Sequence, residues 1–397
     1  MIDLTRLSPP ATPALVLIEG ALERNLAIMQ GLCDRAGVAL RAHGKMHKCS
    51  TLALRQVALG AKGVCAQTVG EAEVFARCGV ADVLVTSPAP LSAAPRIAAL
   101  GKITRIGAVA DSGELIAALG SAARGAGIVI DLLVDIDLGQ HRTGVRPEDA
   151  LALVRLAAST EGLSFQGLQG YLGHLQHIED AAARLAANAI ATTRLVALKA
   201  AIEAAGLGVA TLTGGGTGTH SADLAGGVFT ELQAGSYAVM DVEYDACAAP
   251  GGGDWPFEPA LFIAASVVST VHRTHVVVDA GLKAMSVDGP FARVAAGAAE
   301  GSLWRPMGDE HGAIFHPAAL GALRAAGRDP LAFERAIDEA DASLDPPGGA
   351  PRLGDVVWLQ PGHCDPTVNL YDAFHVARQD GTWERWPIDA RRTSFPL

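Results

Sequence analysis

No C-x-x-C pair occurs in this 397-residue chain; its six cysteines, Cys33, Cys49, Cys65, Cys78, Cys247 and Cys364, are scattered. That spacing fits reduced thiols better than a disulfide framework. No cluster of Lys and Arg longer than two or three residues interrupts a balance of 42 acidic against 31 basic residues. The net charge of −11 makes nucleic acid and anionic membrane surfaces poor partners. Apolar runs long enough to span a bilayer are lacking, and the opening Met1-Ile2-Asp3-Leu4-Thr5-Arg6 has no apolar signal core. The expectation is a soluble, cytoplasmic protein. Internal repeats at a period of roughly 20 to 50 residues and low-complexity tracts are also missing, which sets aside solenoids and arrays. What is present is a half-hydrophobic composition and a length that predicts two domains.

From about Thr12 to Tyr237, short β-rich runs alternate with Ala/Leu-rich helical runs, the pattern of βα units around a parallel sheet. The runs Ala39 to Lys45, Gly63 to Gln67, Asp82 to Ser87, Arg105 to Ala110, Ile130 to Ile136, Phe165 to Tyr171, Val209 to Gly215 and Glu231 to Tyr237 read as strands. Helices are expected between them, among them Gly70 to Cys78, Pro147 to Thr160 and Asp180 to Ala205. Eight repeats suggest a closed (β/α)8 TIM-type barrel over residues 12–245. After Gly251-Gly252-Gly253-Asp254 the text becomes mostly β: Leu261 to Val271, His275 to Ala280, Val356 to Gln360 and Phe374 to Ala377. Residues 246–397, with 1–11, are therefore expected to form a β-rich domain. Within it Phe315 to Pro351 is helical and Pro/Gly-rich, like an insertion or a lid.

In a parallel barrel, function collects at the C-terminal ends of the strands. Lys45, within Arg41-Ala42-His43-Gly44-Lys45-Met46-His47-Lys48, ends the first strand and is placed to form an imine with a carbonyl cofactor. Gln67 ends the second strand, Arg142 follows the fifth and Tyr171 ends the sixth. A single such residue is more often a cap or a surface group, but agreement among strand ends favours a site. Thr213-Gly214-Gly215-Gly216-Thr217-Gly218-Thr219 offers successive backbone N–H groups and hydroxyls to a phosphate monoester, and with no Gly-Lys-Ser/Thr after it, it is not a P-loop. Gly235, Ser236 and Tyr237, at the next strand end, can serve the same anion. Phosphate plus an imine-forming lysine points to pyridoxal 5'-phosphate. His363 and Asp365, two apart in a segment read as extended, would converge on a divalent cation such as Mn²⁺, Mg²⁺ or Zn²⁺ while Cys364 faces away. An H-x-D triplet is by itself commonly a polar turn. His177 and His174 follow the sixth strand, and either could act as a general base, although a loop histidine is more often simply exposed.

The chain resembles the D-threonine aldolases, within the alanine-racemase-like, fold type III group of pyridoxal-phosphate enzymes that also includes D-serine dehydratases. The resemblance runs over nearly the whole chain, through His43 to Lys48, Gly139-Gln140-His141-Arg142-Thr143-Gly144-Val145, Gly214 to Gly218, Glu231 to Tyr237, Asp279 to Lys283, Asp309 to Gly312 and Pro361 to Asn369. It implies a barrel that carries the cofactor, a β domain that carries the metal, and a homodimer whose active sites are completed across the interface. It further implies Lys45 as the Schiff-base lysine, Arg142 on the cofactor's phenolate oxygen, Tyr171 beside the pyridine ring, and Gly216, Thr217, Ser236 and Tyr237 on the phosphate. His363 and Asp365 would bind metal, and His177 would face the substrate hydroxyl.

The implied reaction is retro-aldol cleavage of a D-3-hydroxy amino acid to glycine and an aldehyde. Racemases of the group use a tyrosine in the region matching Val276 to Ala284, where this chain has none. The D-serine dehydratases place a cysteine two positions after the metal histidine, where this chain has Asp365. A D-3-hydroxyaspartate aldolase shares the parts but should want one more cation for the second carboxylate, and a dehydratase of the same fold is a further alternative. Three departures bear on the substrate pocket: Gln67-Thr68-Val69-Gly70-Glu71-Ala72 lacks the charged residue usual after the glutamine, Phe315 to Pro351 is longer than its counterpart, and His174 replaces a smaller residue.

Overall fold

The computed structural model describes residues 3–321, 324, 330–344 and 350–391. The chain divides into two compact units. One comprises Arg24–Ala238, Ala246–Phe257 and the residues from Pro387 onward; the other comprises the residues up to Glu23, Val239–Asp245 and Glu258–Trp386.

The strand β1 (Ala14–Ile18) belongs to the second unit; the barrel of the first unit is built from β2 (Ala39–His43), β3 (Gly63–Ala66), β4 (Asp82–Val85), β5 (Arg105–Ala110), β6 (Ile130–Asp135), β7 (Leu163–Gly170), β8 (Thr211–Gly214) and β9 (Glu231–Leu232). All eight are parallel, and β9 pairs back onto β2 through Ala39↔Glu231 and Leu40↔Leu232, closing the barrel as the sequence suggests. Alternation along each strand sends Arg41 and His43, Asp82 and Leu84, and Asp131, Leu133 and Asp135 to one side. An apolar layer of Cys65, Leu84, Val109 and Leu133 therefore separates two polar layers. At the N-terminal end Arg41 bonds Glu231 and Asp82 at 2.7 Å each, Arg105 bonds Asp131 at 2.6 Å, and Lys62 pairs with Glu231. At the C-terminal end Gln169 Nε2 donates to Asp135 (2.8 Å) and Gln233 Nε2 donates to Gln169 (3.1 Å) and Thr213 (3.0 Å).

The helix Ala181–Ala204 corrects one expectation, because it is long and apolar enough by length and composition to cross a membrane. Its buried residues are Arg184, Asn188, Ala191, Leu195, Leu198 and Ile202, one stripe at helical spacing, and the four apolar ones join the barrel's helix-facing core. It is one of the barrel's helices.

In the second unit β10 (Leu261–Ser269), β11 (His275–Val278), β12 (Arg293–Ala296), β13 (Leu303–Pro306), β14 (Gly312–Phe315), β15 (Val356–Gln360), β16 (Ala373–Ala377) and β17 (Trp383–Pro387) join β1 in a nine-stranded sheet. The expected boundary at residue 12 thus falls too early. Ala14–Ile18, buried throughout, pairs antiparallel with β10 and parallel with β16, and so lies in this sheet rather than the barrel. Residues 246–257, expected here, group with the barrel. Of the expected insertion, the described helix Pro330–Ser343 packs Phe333 and Ile337 on Ala313 and Phe315 of β14. Residues 322–323, 325–329 and 345–349 lie outside the described ones.

Candidate active site

Lys45 stands two residues past β2, half-buried, and its backbone N–H donates to His43 Nδ1 at 3.3 Å. Acceptance there puts the ring proton on Nε2, which faces the Thr86 hydroxyl at 3.2 Å; that hydroxyl in turn donates to the Ala66 carbonyl at 3.2 Å. The loop after β2 is fixed by a second contact. Glu71, 1 % exposed, accepts from Lys48 Nζ at 2.5 Å and from the backbone N–H of Gln67 at 2.7 Å, binding the loops after β2 and β3 together. Gln67 itself is half-buried one residue past β3.

Arg142, exposed, stacks its guanidinium over the Tyr171 ring at 5.5 Å from the centroid, so the loops after β6 and β7 bring these two together. The glycine run after β8 is buried from Gly214 through Thr219. Its amides do not all face one way: Gly218 N–H donates to Gln176 Oε1 at 2.8 Å and Gly216 N–H to Asp223 Oδ2 at 3.4 Å. Burial pushes the Asp223 carboxyl up to about 6, against the lowering by Thr219, Asn188 and Gly216. Thr217 Oγ1 accepts from Tyr237 N–H at 2.9 Å, which sets the loops after β8 and β9 side by side. The Tyr237 phenol is fully buried against Gln56 Nε2 at 3.2 Å, so its ring is structural and any service to a ligand comes from the backbone around it. A Cβ on Gly235 would come 3.2 Å from the His43 carbonyl, so the β9 loop also abuts the Lys45 loop. The half-buried His177 follows the short turn Gly173–Leu175 and the buried Gln176, while His174 is exposed with burial drawing its imidazole below the ordinary value.

An amine, a guanidinium on an aromatic face, and a corner of backbone N–H groups at Thr217 and at Gly235–Ser236 with the Ser236 hydroxyl make a donor set that suits pyridoxal phosphate. The amides of Gly216 and Gly218 serve protein side chains instead, which narrows the expected cradle. Gln176, Glu71 and His43 are the residues the sequence marks least: each has a partner distant in the chain, Gly218, Lys48 and Thr86 respectively, and its one sequence signal is a polar residue beside a candidate.

In the sheet unit His363 caps the helix Cys364–Val368 and is itself extended. The expectation of an extended 363–365 segment therefore fails at Cys364, whose N–H is taken by Asp241 Oδ2 at 2.8 Å as the helix begins. Cys364 does not face away either; its buried Sγ lies 3.5 Å from Asp365 Oδ2. His363 Nδ1 meets Asp288 Oδ2 at 2.9 Å. Burial lowers the His363 imidazole, but Asp365, Asp288 and Asp241 outweigh it and hold it above the ordinary value. Among the described residues no group of three or more His, Cys, Asp or Glu side chains is arranged to hold a metal. His363 and Asp365 supply an imidazole and a carboxylate, the donor types that a divalent cation takes.

Residues 19–242 match the family model of the alanine racemase N-terminal domain, and residues 260–377 that of a putative serine dehydratase domain. A D-threonine aldolase from Arthrobacter sp. is 36% identical over 390 residues, 96% of this chain and 92% of that protein. The chain belongs to this family of alanine-racemase-like aldolases. Family membership makes it an enzyme of the carbon–carbon lyase class, related to pyridoxal-phosphate proteins of fold type III. A 3-hydroxy-D-aspartate aldolase from Paracoccus denitrificans is 35% identical over 97% of the chain and 93% of its own length. The crystal structure of a D-threonine aldolase from Filomicrobium marinum superposes with a TM-score of 0.85 at 36% identity, over 99% of this chain and 100% of that one.

Proposed function

We propose that this lyase cleaves D-3-hydroxy amino acids of the D-threonine type to glycine and an aldehyde, with pyridoxal phosphate on the barrel and a divalent cation at His363 and Asp365. The observation that carries this reading is the half-buried Lys45 at a closed barrel's mouth, in a chain with Asp365 two positions after His363 where the dehydratases carry cysteine.

Lys45 Nζ would hold pyridoxal phosphate at the barrel mouth, and as a free amine it would be the group to return a proton to the substrate Cα. Arg142, held over Tyr171, would orient the cofactor, and the Thr217 and Gly235–Ser236 corner would hold its phosphate. His177 receives the proton of the 3-hydroxyl as the Cα–Cβ bond breaks. Bound pyridoxal phosphate supplies the electron sink for that cleavage. His363 and Asp365 would hold a divalent cation, whose chemistry is to make a coordinated hydroxyl easier to deprotonate.

One specific observation favours the threonine type over the hydroxyaspartate type. A cavity of about 420 Å³ at the ends of β3 and β4 is lined by Gln67, Thr68, Val69, Pro88, Pro90 and Arg96 among others. Its cation, Arg96, is bonded twice to the buried Glu73 at 2.7 Å, leaving a wall poorly suited to a second carboxylate.

The test incubates purified protein, pyridoxal phosphate and Mn²⁺ with D-threonine, L-threonine and D-3-hydroxyaspartate, with and without EDTA, and measures glycine, aldehyde and ammonia. Glycine and acetaldehyde from the D-isomer, suppressed by EDTA, are expected. Ammonia and a 2-oxo acid in place of glycine, or preference for L-threonine, would overturn the reading, and indifference to EDTA would remove the metal from it.

A further inference from the structure

His177 is bracketed by two residues that are both tied to the backbone of one residue of the glycine run, Gly218. On its N-terminal side Gln176, 1 % exposed, accepts the Gly218 N–H at Oε1 (2.8 Å), and its amide donates to the Thr219 hydroxyl (3.0 Å) and the Leu172 carbonyl (3.2 Å). On its C-terminal side the Ile178 carbonyl accepts from Arg184 Nη1, and Arg184 Nε donates to the Gly218 carbonyl at 2.9 Å. Arg184 is fully buried. The contact is close as well as bonded, since a Cβ on Gly218 would lie 2.0 Å from the Gln176 carbonyl oxygen. The Gly218 N–H is thus held by Gln176 directly and its carbonyl by Arg184, which also bonds Ile178, and Thr217, the residue before it, accepts from the Tyr237 N–H beside Ser236.

We propose that Gln176 is a positioning residue that couples the phosphate-binding corner to the placement of the His177 imidazole, so that filling the corner sets the base. This rests on the aldolase reading above. A buried primary amide that satisfies one donor and two acceptors leaves little slack, and a shift of the Gly218 peptide must move Gln176 or break its bonds. Gln176 acts through His177 and the Gly218 peptide, not on the substrate.

The experiment uses the full-length protein as Gln176→Met, which keeps the side chain's length and bulk and removes its hydrogen-bonding groups. Two quantities are read on it: the dissociation constant for pyridoxal phosphate by absorbance titration, and the pH profile of kcat/KM with D-threonine. The expected result is affinity weakened by roughly 10-fold or more together with a shift of about half a unit or more in the acidic limb of the profile. Weakened affinity with an unmoved profile means simple loop support and overturns the coupling, as does a moved profile with unchanged affinity, or no change in either. Should Gln176→Met fail to fold, Thr219→Val removes the hydroxyl that accepts from Gln176 Nε2 at nearly constant volume and is judged by the same two readings. Wild-type protein that binds no pyridoxal phosphate would sink the aldolase reading and this coupling with it, whereas a wild type that binds and cleaves beside an unaltered variant would sink the coupling alone.

Discussion

Lys45 and Lys48 lie three residues apart and face opposite electrostatic tasks. Lys48 Nζ is spent on Glu71, 1 % exposed, which also carries the Gln67 N–H, while Lys45 is half-buried at the mouth. Removing each amine should therefore fail differently. Lys45→Ala is expected to abolish the absorbance of bound cofactor in the region of about 400 nm and to cut glycine release at least roughly 1000-fold, with thermal stability close to wild type. Lys48→Met should keep the absorbance yet leave Glu71 buried and short of its cation, at a cost of about 3 kcal/mol in urea unfolding. The reverse pattern would exchange their roles. The strand-end placement of Lys45, Arg142 and Tyr171 is legible in the sequence because the alternation of strand and helix runs uses only position along the chain. Gln176 and His43 are not, because their meaning lies in Gly218, Thr219 and Thr86, residues that only folding brings near.

Elements were read more reliably in kind than in partnership. The eight barrel strands follow from the alternation of β-rich and helical runs, but Ala14–Ile18 joins a sheet whose other members begin at Leu261, and nothing local in its five apolar residues names those partners. The segment His363–Asp365 shows the same limit: Pro366 disfavours helix at the residue before it, yet a helix starts at Cys364 because Asp241 supplies a distant acceptor for its N–H. Strand β11 offers a pH test within one element. His275 is 6 % exposed, its ring stacks on His272 at 4.4 Å, and burial with the neighbouring His272 draws its imidazole down to about 4. A folded value below the ordinary value of 6.5 means that the unfolded chain takes the proton first. Its stabilising contribution is then complete above about pH 6.5 and is lost as the pH falls toward 4. Thermal melts over that window should show the wild type losing midpoint faster than His275→Leu; parallel curves would refute the assignment.

At the scale of the whole molecule, the barrel carries its charge at one end and its candidate chemistry at the other. Arg41, 5 % exposed, sits between Glu231 and Asp82, with Lys62 on Glu231 and Arg105 on Asp131, so three cations meet three carboxylates at the N-terminal face. That face of a parallel barrel governs stability, and the loops at the other end govern reaction. Burial raises the Glu231 carboxyl, but the bonds from Arg41 and Lys62 outweigh it and hold it below the ordinary carboxylate range. With a depressed folded value, its contribution is present above the unfolded value of about 4.5 and is lost as the pH falls through the folded one. Glu231→Gln should therefore cost about 3 kcal/mol near pH 7, because Arg41 is left buried with half its counter-charge, and the difference from wild type should shrink in acid. KM for D-threonine and the affinity for pyridoxal phosphate should stay within about 2-fold, since β9 is still anchored on both sides by β2 and β8 and the network lies below the apolar layer of Cys65, Leu84, Val109 and Leu133. A Glu231→Gln protein as stable as wild type, or one that loses cofactor affinity while remaining folded, would show that the two ends of the barrel are not separated in this way.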